Sequence, residues 1–212
     1  MFLQEAKQYC LVFCLSVRML YLNDDIGSLD LEKALGQLSA QRREQALKFK
    51  HELGQRLCAA AYLLLCEGLR TEYGINSHPR LVYERDGKPL LADHPGIHFN
   101  MSHCKSAVVC ALSDRPVGVD VEQIRNYNES LVRYTMNEQE IKLIENSVRP
   151  DVAFIRLWTM KEAKLKRLGS GIRKDMKDVL TPNDRFLTLV NTEKGYVISV
   201  SEAPEKETLG NQ

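Results

Sequence analysis

The chain has 212 residues, with 29 Lys+Arg against 28 Asp+Glu and a formal net charge of +1. That length holds one domain or two small lobes on a shared core, and that balance excludes a uniformly basic nucleic-acid coat and an acidic solvating tail. With 44% hydrophobic and 27% charged residues the chain is expected to fold rather than stay disordered, so any ion or ligand site must be a local feature.

The apolar stretch 9–22 is interrupted by Ser16 and Arg18 and falls short of the roughly 20 apolar residues that cross a bilayer. It reads as a buried strand over 9–17. Glu5 and Lys7 cancel and no small-residue cleavage site follows, so neither a secretory leader nor a membrane span is expected. Helices are predicted at 39–52 and 55–73, with Ser39 capping the first and Gly54 separating the two. Strands follow at 80–85, 97–100 and 107–113, with turns at Asp86-Gly87 and Pro95-Gly96. A further strand covers 117–122. Helices are predicted at 137–146, where Asn137 and Glu140 have capping-box spacing, and at 151–168. Strands at 186–190 and 196–200 close the chain. Strands and helices occur in both halves, divided near 113–116, without a convincing internal repeat.

The six cysteines, Cys10, Cys14, Cys58, Cys66, Cys104 and Cys110, form no C-x-x-C pair. Reduced, buried cysteines of a cytosolic protein fit better than a zinc site or a disulfide framework. Cys104 beside His103 is no catalytic pair by adjacency alone.

Three segments carry chemistry. In Val117-Gly118-Val119-Asp120-Val121-Glu122 the valines share one strand face, while Gly118, Asp120 and Glu122 share the other. Two like charges on one face repel unless a cation or solvent screens them, and Mg²⁺ prefers such oxygen ligands. The glycine beside them is expected to let a ligand approach; a solvated edge strand is the plainer alternative. On the helix over 151–168, Phe154, Ile155, Trp158, Leu165 and Leu168 make an apolar stripe, and Glu162 stands four residues before Lys166. An exposed pair at that spacing is worth only about 0.2–0.5 kcal/mol. In Phe99-Asn100-Met101-Ser102-His103, the hydroxyl and imidazole just after a strand suit hydrogen bonding to an anion.

Taken in order, Gly87-Lys88-Pro89, Phe99-Asn100-Met101-Ser102-His103, Gly118-Val119-Asp120-Val121-Glu122 and Trp158-Thr159-Met160-Lys161-Glu162-Ala163-Lys164-Leu165-Lys166 resemble the 4'-phosphopantetheinyl transferase superfamily. The length resembles its larger, surfactin-type, pseudo-dimeric branch, and the likeness runs over about 39–172. The resemblance implies an α+β fold of two similar α/β lobes related by a pseudo-twofold axis. The expected lobes are 1–113, contacting the adenosine and 3'-phosphate of coenzyme A, and 114–212, carrying the metal site and catalytic helix. It implies transfer of the phosphopantetheine arm to a serine of an acyl or peptidyl carrier protein, releasing adenosine 3',5'-bisphosphate. By the same resemblance Asp120, Glu122 and Glu162 hold Mg²⁺ (or Mn²⁺), and Glu162, with Lys166, serves deprotonation of the carrier serine. Lys88 and Pro89 lie against the adenine, and Ser102 and His103 contact the 3'-phosphate. Arg42 and Arg56 bind phosphate, and Lys161 or Lys166, preferably Lys166, binds the diphosphate.

A cytoplasmic monomer that binds neither nucleic acid nor membrane is expected. The segment 127–136, with Leu131, Val132, Tyr134 and Met136, is either a carrier contact or core. Two other readings compete: a metal-dependent nuclease or phosphohydrolase, because Asp120 with Glu162-x-Lys164 imitates a D…E-x-K set, and a noncatalytic module binding coenzyme A or carrier proteins.

Overall fold

Strand alternation decides what each face of a sheet meets, and the computed structural model, which describes residues 10–11, 19–171 and 176–204, shows the outcome. β1 (Cys10–Leu11) and β2 (Met19–Asn23) precede α1 (Leu31–Gly36), α2 (Ala40–Leu47) and the long α3 (Glu52–Tyr73). Next come β3 (Leu81–Tyr83), β4 (Pro89–Leu91), β5 (His98–His103), β6 (Val108–Ser113) and β7 (Val117–Gln123). Then follow α4 (Glu129–Thr135), α5 (Glu138–Glu145), α6 (Pro150–Leu168), β8 (Phe186–Asn191) and β9 (Tyr196–Glu202). Of the strand expected over 9–17, all but Cys10–Leu11 lies outside the described residues.

The strands form two antiparallel sheets, β1-β2-β6-β5 and β7-β9-β8, and a separate β3-β4 ribbon. The two sheets bury their inner faces together: Leu20, Leu22, Val109 and Ala111 meet Val117, Val119, Val121, Ile198 and Val200. The alternate residues point outward onto helices. Tyr21, Cys110 and Leu112 pack on Leu65 and Leu69 of α3, and Val197 packs with Phe154 and Ile155 of α6. The fold is thus a mixed α/β arrangement in which each sheet carries a long helix on its outer face. Where β5 runs beside β7, Asn100 Oδ1 accepts the Val119 N–H at 2.9 Å, stitching one sheet to the other by a side chain.

Local signals explain most element ends. Ser39 caps α2 by accepting from the Arg42 N–H, and Asn137 and Glu140 make the reciprocal capping box of α5. Gly54 does not separate the two helices. The break falls at 48–51, and Gly54 sits in the first turn of α3, where a Cβ would stand 2.8 Å from Phe49 Cδ1. β2, α1, β4 and α4 are not among the elements expected from sequence. In α4, Val132 and, just after it, Met136 are buried, which makes them core, whereas Tyr134 is 62% exposed and Leu131 38% exposed. Leu168 is 56% exposed, so the buried stripe of α6 ends at Leu165. Among the described residues Cys58, Cys66, Cys104 and Cys110 are free, and burial pushes all four thiols up. No helix among the described residues is long and apolar enough to cross a membrane.

Candidate active site

β7 and α6 build the centre. A Cβ on Gly118 would lie 2.1 Å from the Ala163 carbonyl oxygen and 2.4 Å from the Arg167 nitrogen. The glycine expected to admit a ligand therefore admits the backbone of α6 instead. This close approach, reinforced by the 2.8 Å hydrogen bond between the buried Thr159 and Ser199 hydroxyls, lays Glu162 and Lys166 over Asp120. Gly169, in the left-handed region at φ 67°, ends α6 one residue past Leu168.

Asp120 is only 4% exposed. Its Oδ1 accepts from Lys166 Nζ at 2.6 Å and from Ser102 Oγ at 2.9 Å. Lys166 Nζ also donates to Ser102 Oγ at 2.8 Å, so the three groups form a closed ring. Asp120 Oδ2 and Glu162 Oε1 are buried without a hydrogen-bond partner. Burial first, and then the Asp120 charge, push the carboxyls of Glu162 and Glu122 above their ordinary value, against an opposing pull from Lys166. Among the described residues no three acidic, histidine or cysteine side chains converge into a ready metal cage. An ammonium, that of Lys166, occupies the position beside Asp120 Oδ1. The donor set nonetheless fits a hard cation, because unpartnered buried carboxylate oxygens are what such an ion stabilises.

A cleft of about 300 Å³ opens over this centre, with Lys88, Pro89, Asn100, Met101, Glu162 and Lys166 in its wall. Its far side is the β3-β4 hairpin, closed by Gly87 at φ 83°. Lys88 Nζ donates to the Arg167 carbonyl at 2.7 Å, tying the hairpin to the last turn of α6.

The expected residues thus divide. Asp120, Glu162, Lys166, Ser102, Lys88 and Pro89 come together. Glu122 continues the same strand face, and His103 ends β5, where partial burial and Lys166 lower its imidazole. Ser102 lies within the strand, bonded to Asp120. Lys161 does not reach the diphosphate position and is corrected to a structural role: it is 0% exposed and donates to Glu140 Oε2 and to the carbonyls of Thr135 and Met176. Neither arginine lines the cleft. Arg42 donates to Gln45 and Cys58 and stacks over the Tyr62 ring at 5.3 Å. Arg56 pairs with Glu52 at 2.6 Å and donates to the carbonyls of Gly27 and Leu29. The nuclease-like geometry is also absent, since Lys164 turns away to Asp184 at 2.6 Å. Sequence reasoning missed Asn100, which holds β7 in place, and Glu140, the partner of Lys161. Only the capping-box spacing at Asn137 hinted that Glu140 was more than a surface acid.

Buried carboxylates, an ammonium and a lysine-walled cleft define an enzyme centre suited to an anionic substrate. Residues 116–208 match the family model described as the 4'-phosphopantetheinyl transferase superfamily. The chain is 27% identical over 161 residues to 4'-phosphopantetheinyl transferase psf-1 of Bacillus pumilus, covering 74% of this chain and 69% of the relative. It is 25% identical over 156 residues to 4'-phosphopantetheinyl transferase Sfp of Bacillus subtilis (strain 168), covering 72% and 70%. It is also 36% identical over 112 residues to 4'-phosphopantetheinyl transferase HetI of Nostoc sp. (strain PCC 7120 / SAG 25.82 / UTEX 2576), covering 48% and 47%. The chain is thus similar to the 4'-phosphopantetheinyl transferase superfamily through residues 116–208, and to two of these transferases over 74% and 72% of its length. Within that superfamily the likeness is to the Sfp-type transferases.

Proposed function

We propose that the enzyme moves the 4'-phosphopantetheine arm of coenzyme A onto a serine of an apo acyl or peptidyl carrier protein, in a Mg²⁺-dependent reaction. The serine oxygen attacks the β-phosphorus and forms a new P–O ester. The bond from that phosphorus to the bridging oxygen breaks, and adenosine 3',5'-bisphosphate leaves with the bridging oxygen. The serine proton passes to Glu162, directly or through one water. Glu162 lines the cleft beside Lys166, where a carboxylate oxygen is placed to accept that proton.

Asp120, Glu122 and Glu162 would hold the Mg²⁺, which when bound neutralises charge on the diphosphate. The observation that carries this reading is the pair of buried, unpartnered oxygens, Asp120 Oδ2 and Glu162 Oε1, facing the same centre as Lys166. Lys166 would bind a diphosphate oxygen, Lys88 and Pro89 would flank the adenine, and His103 would approach the 3'-phosphate. Ser102 would reach that phosphate only by leaving Asp120. Arg42 and Arg56 would contribute only after releasing their present partners.

The two lobes, 1–113 and 114–212, are proposed to share a pseudo-twofold axis, with the active site between them. The enzyme is proposed to act as a monomer, and the free cysteines among the described residues support a cytoplasmic setting. Leu131 and Tyr134, exposed on α4, are assigned to the carrier contact.

The test is to incubate the protein with apo-carrier, coenzyme A and Mg²⁺ and weigh the carrier. The expected result is a gain of one phosphopantetheine, abolished by EDTA and by Asp120→Ala. No gain with several apo-carriers, from folded protein, would refute the proposal.

A further inference from the structure

Of the lysine–carboxylate pairs made from α6, Lys161–Glu140 and Lys166–Asp120 are built differently. Lys161 and Glu140 are 0% and 7% exposed, and Lys161 Nζ has three acceptors. That pair is saturated and has nowhere to go. Lys166 is 31% exposed while its partner Asp120 is 6% exposed, so one member is anchored and the other reaches the open cleft that it helps to line. Nor does the pairing satisfy Asp120, whose Oδ2 remains without a partner.

Leaving a buried carboxylate without a positive neighbour is costly, and the Lys166 ammonium is what the fold supplies. Ser102 fixes where it sits. Its hydroxyl accepts from Lys166 Nζ at 2.8 Å and donates to Asp120 Oδ1 at 2.9 Å. We propose that Lys166 is the internal counter-ion of the acidic site, competing with a divalent cation for Asp120, and that Ser102 is the positioning residue that seats the ammonium there. Arrival of the cation would release Lys166 into the cleft, where a bound diphosphate provides its next partner. The exchange orders the site: the ammonium that pairs with Asp120 becomes available to substrate once the cation has taken its place. The proposal rests on the reading of Asp120 as a cation ligand.

Binding of Mn²⁺ to the full chain without coenzyme A, followed by the electron paramagnetic resonance of the free ion, tests it. Lys166→Met should tighten binding about tenfold, because the competing ammonium is gone. Ser102→Ala, which changes no charge, should tighten it about threefold, the worth of one hydrogen bond holding the competitor. Asp120→Asn should abolish binding. If Asp120→Asn binds Mn²⁺ as the parent does, the cation-ligand reading itself fails. If Asp120→Asn loses the ion but neither Lys166→Met nor Ser102→Ala binds more tightly, only the counter-ion proposal is overturned. Tightening in Lys166→Met alone would reduce the effect to general charge repulsion and overturn the role given to Ser102. Lys166→Gln repeats the measurement in a polar side chain should Met disturb the fold.

Discussion

Gly118 shows how one atom sets the geometry of this centre. A methyl group there would have to displace the backbone of α6 at both Ala163 and Arg167, neither of which can rotate away. Gly118→Ala should therefore cost about 3 kcal/mol of stability and should move Glu162 and Lys166 off Asp120. Urea unfolding, read beside the transfer rate of whatever folds, checks both effects. Lys161 makes a second case. With Lys161→Met, Glu140 keeps its capping bond from the Asn137 N–H but becomes a buried carboxylate without a cation, a loss of about 3–5 kcal/mol. Combining it with Glu140→Gln, whose amide oxygen can still accept that capping bond, should recover part of the loss. A double variant that loses as much as Lys161→Met and Glu140→Gln lose separately, added together, would show that the charge pair is not coupled.

Among the elements, those read correctly from sequence carry their own local instructions. The capping box of α5 needs only Asn137 and Glu140, three residues apart, and the apolar run of α3 announces burial by itself. The acidic face of β7 was legible through the period-two alternation. What covered that face was not, because α6 lies some forty residues on and nothing near Gly118 marks its approach. Lys161 was misjudged for the same reason: its acceptors come from α4, α5 and the segment around Met176. β4 was hidden behind Pro89, which is tolerated because the β3-β4 ribbon is all edge.

The loop before β8 also reports on α6. Asp184 accepts from Lys164 Nζ and from the Thr181 N–H and hydroxyl. Burial pushes its carboxyl up, but these donors outweigh it and hold it below the ordinary value. A depressed carboxyl contributes stability that is present above its unfolded pKa of about 3.9 and is lost as pH falls through the lower folded value. Asp184→Asn should thus be less stable than the parent at neutral pH. The gap should close in strong acid, as measured by melting temperature across a pH series.

At the scale of the molecule, the two proposed lobes share one core, and neither can bury its inner sheet face alone. Val117, Val119 and Val121 have Leu20, Leu22, Val109 and Ala111 as their cover, and exposing that surface would forfeit the largest favourable contribution to folding. Polar bridges follow the same seam. Tyr196 donates to Asp24 Oδ2 at 2.8 Å, Lys194 pairs with Asp24 at 2.8 Å, and the Ser113 hydroxyl donates to Glu202. Unfolding should therefore be a single cooperative event. The one tryptophan, Trp158 on α6, packs beside Phe154, so its fluorescence reports the second lobe, while far-ultraviolet circular dichroism reports the helices of both. The two signals should share one midpoint in urea, and Tyr196→Phe should shift both together by about 1 kcal/mol. A fluorescence midpoint that preceded the dichroism midpoint would mean that the β7–α6 half opens on its own, and that the shared core does not bind the lobes into one folding unit.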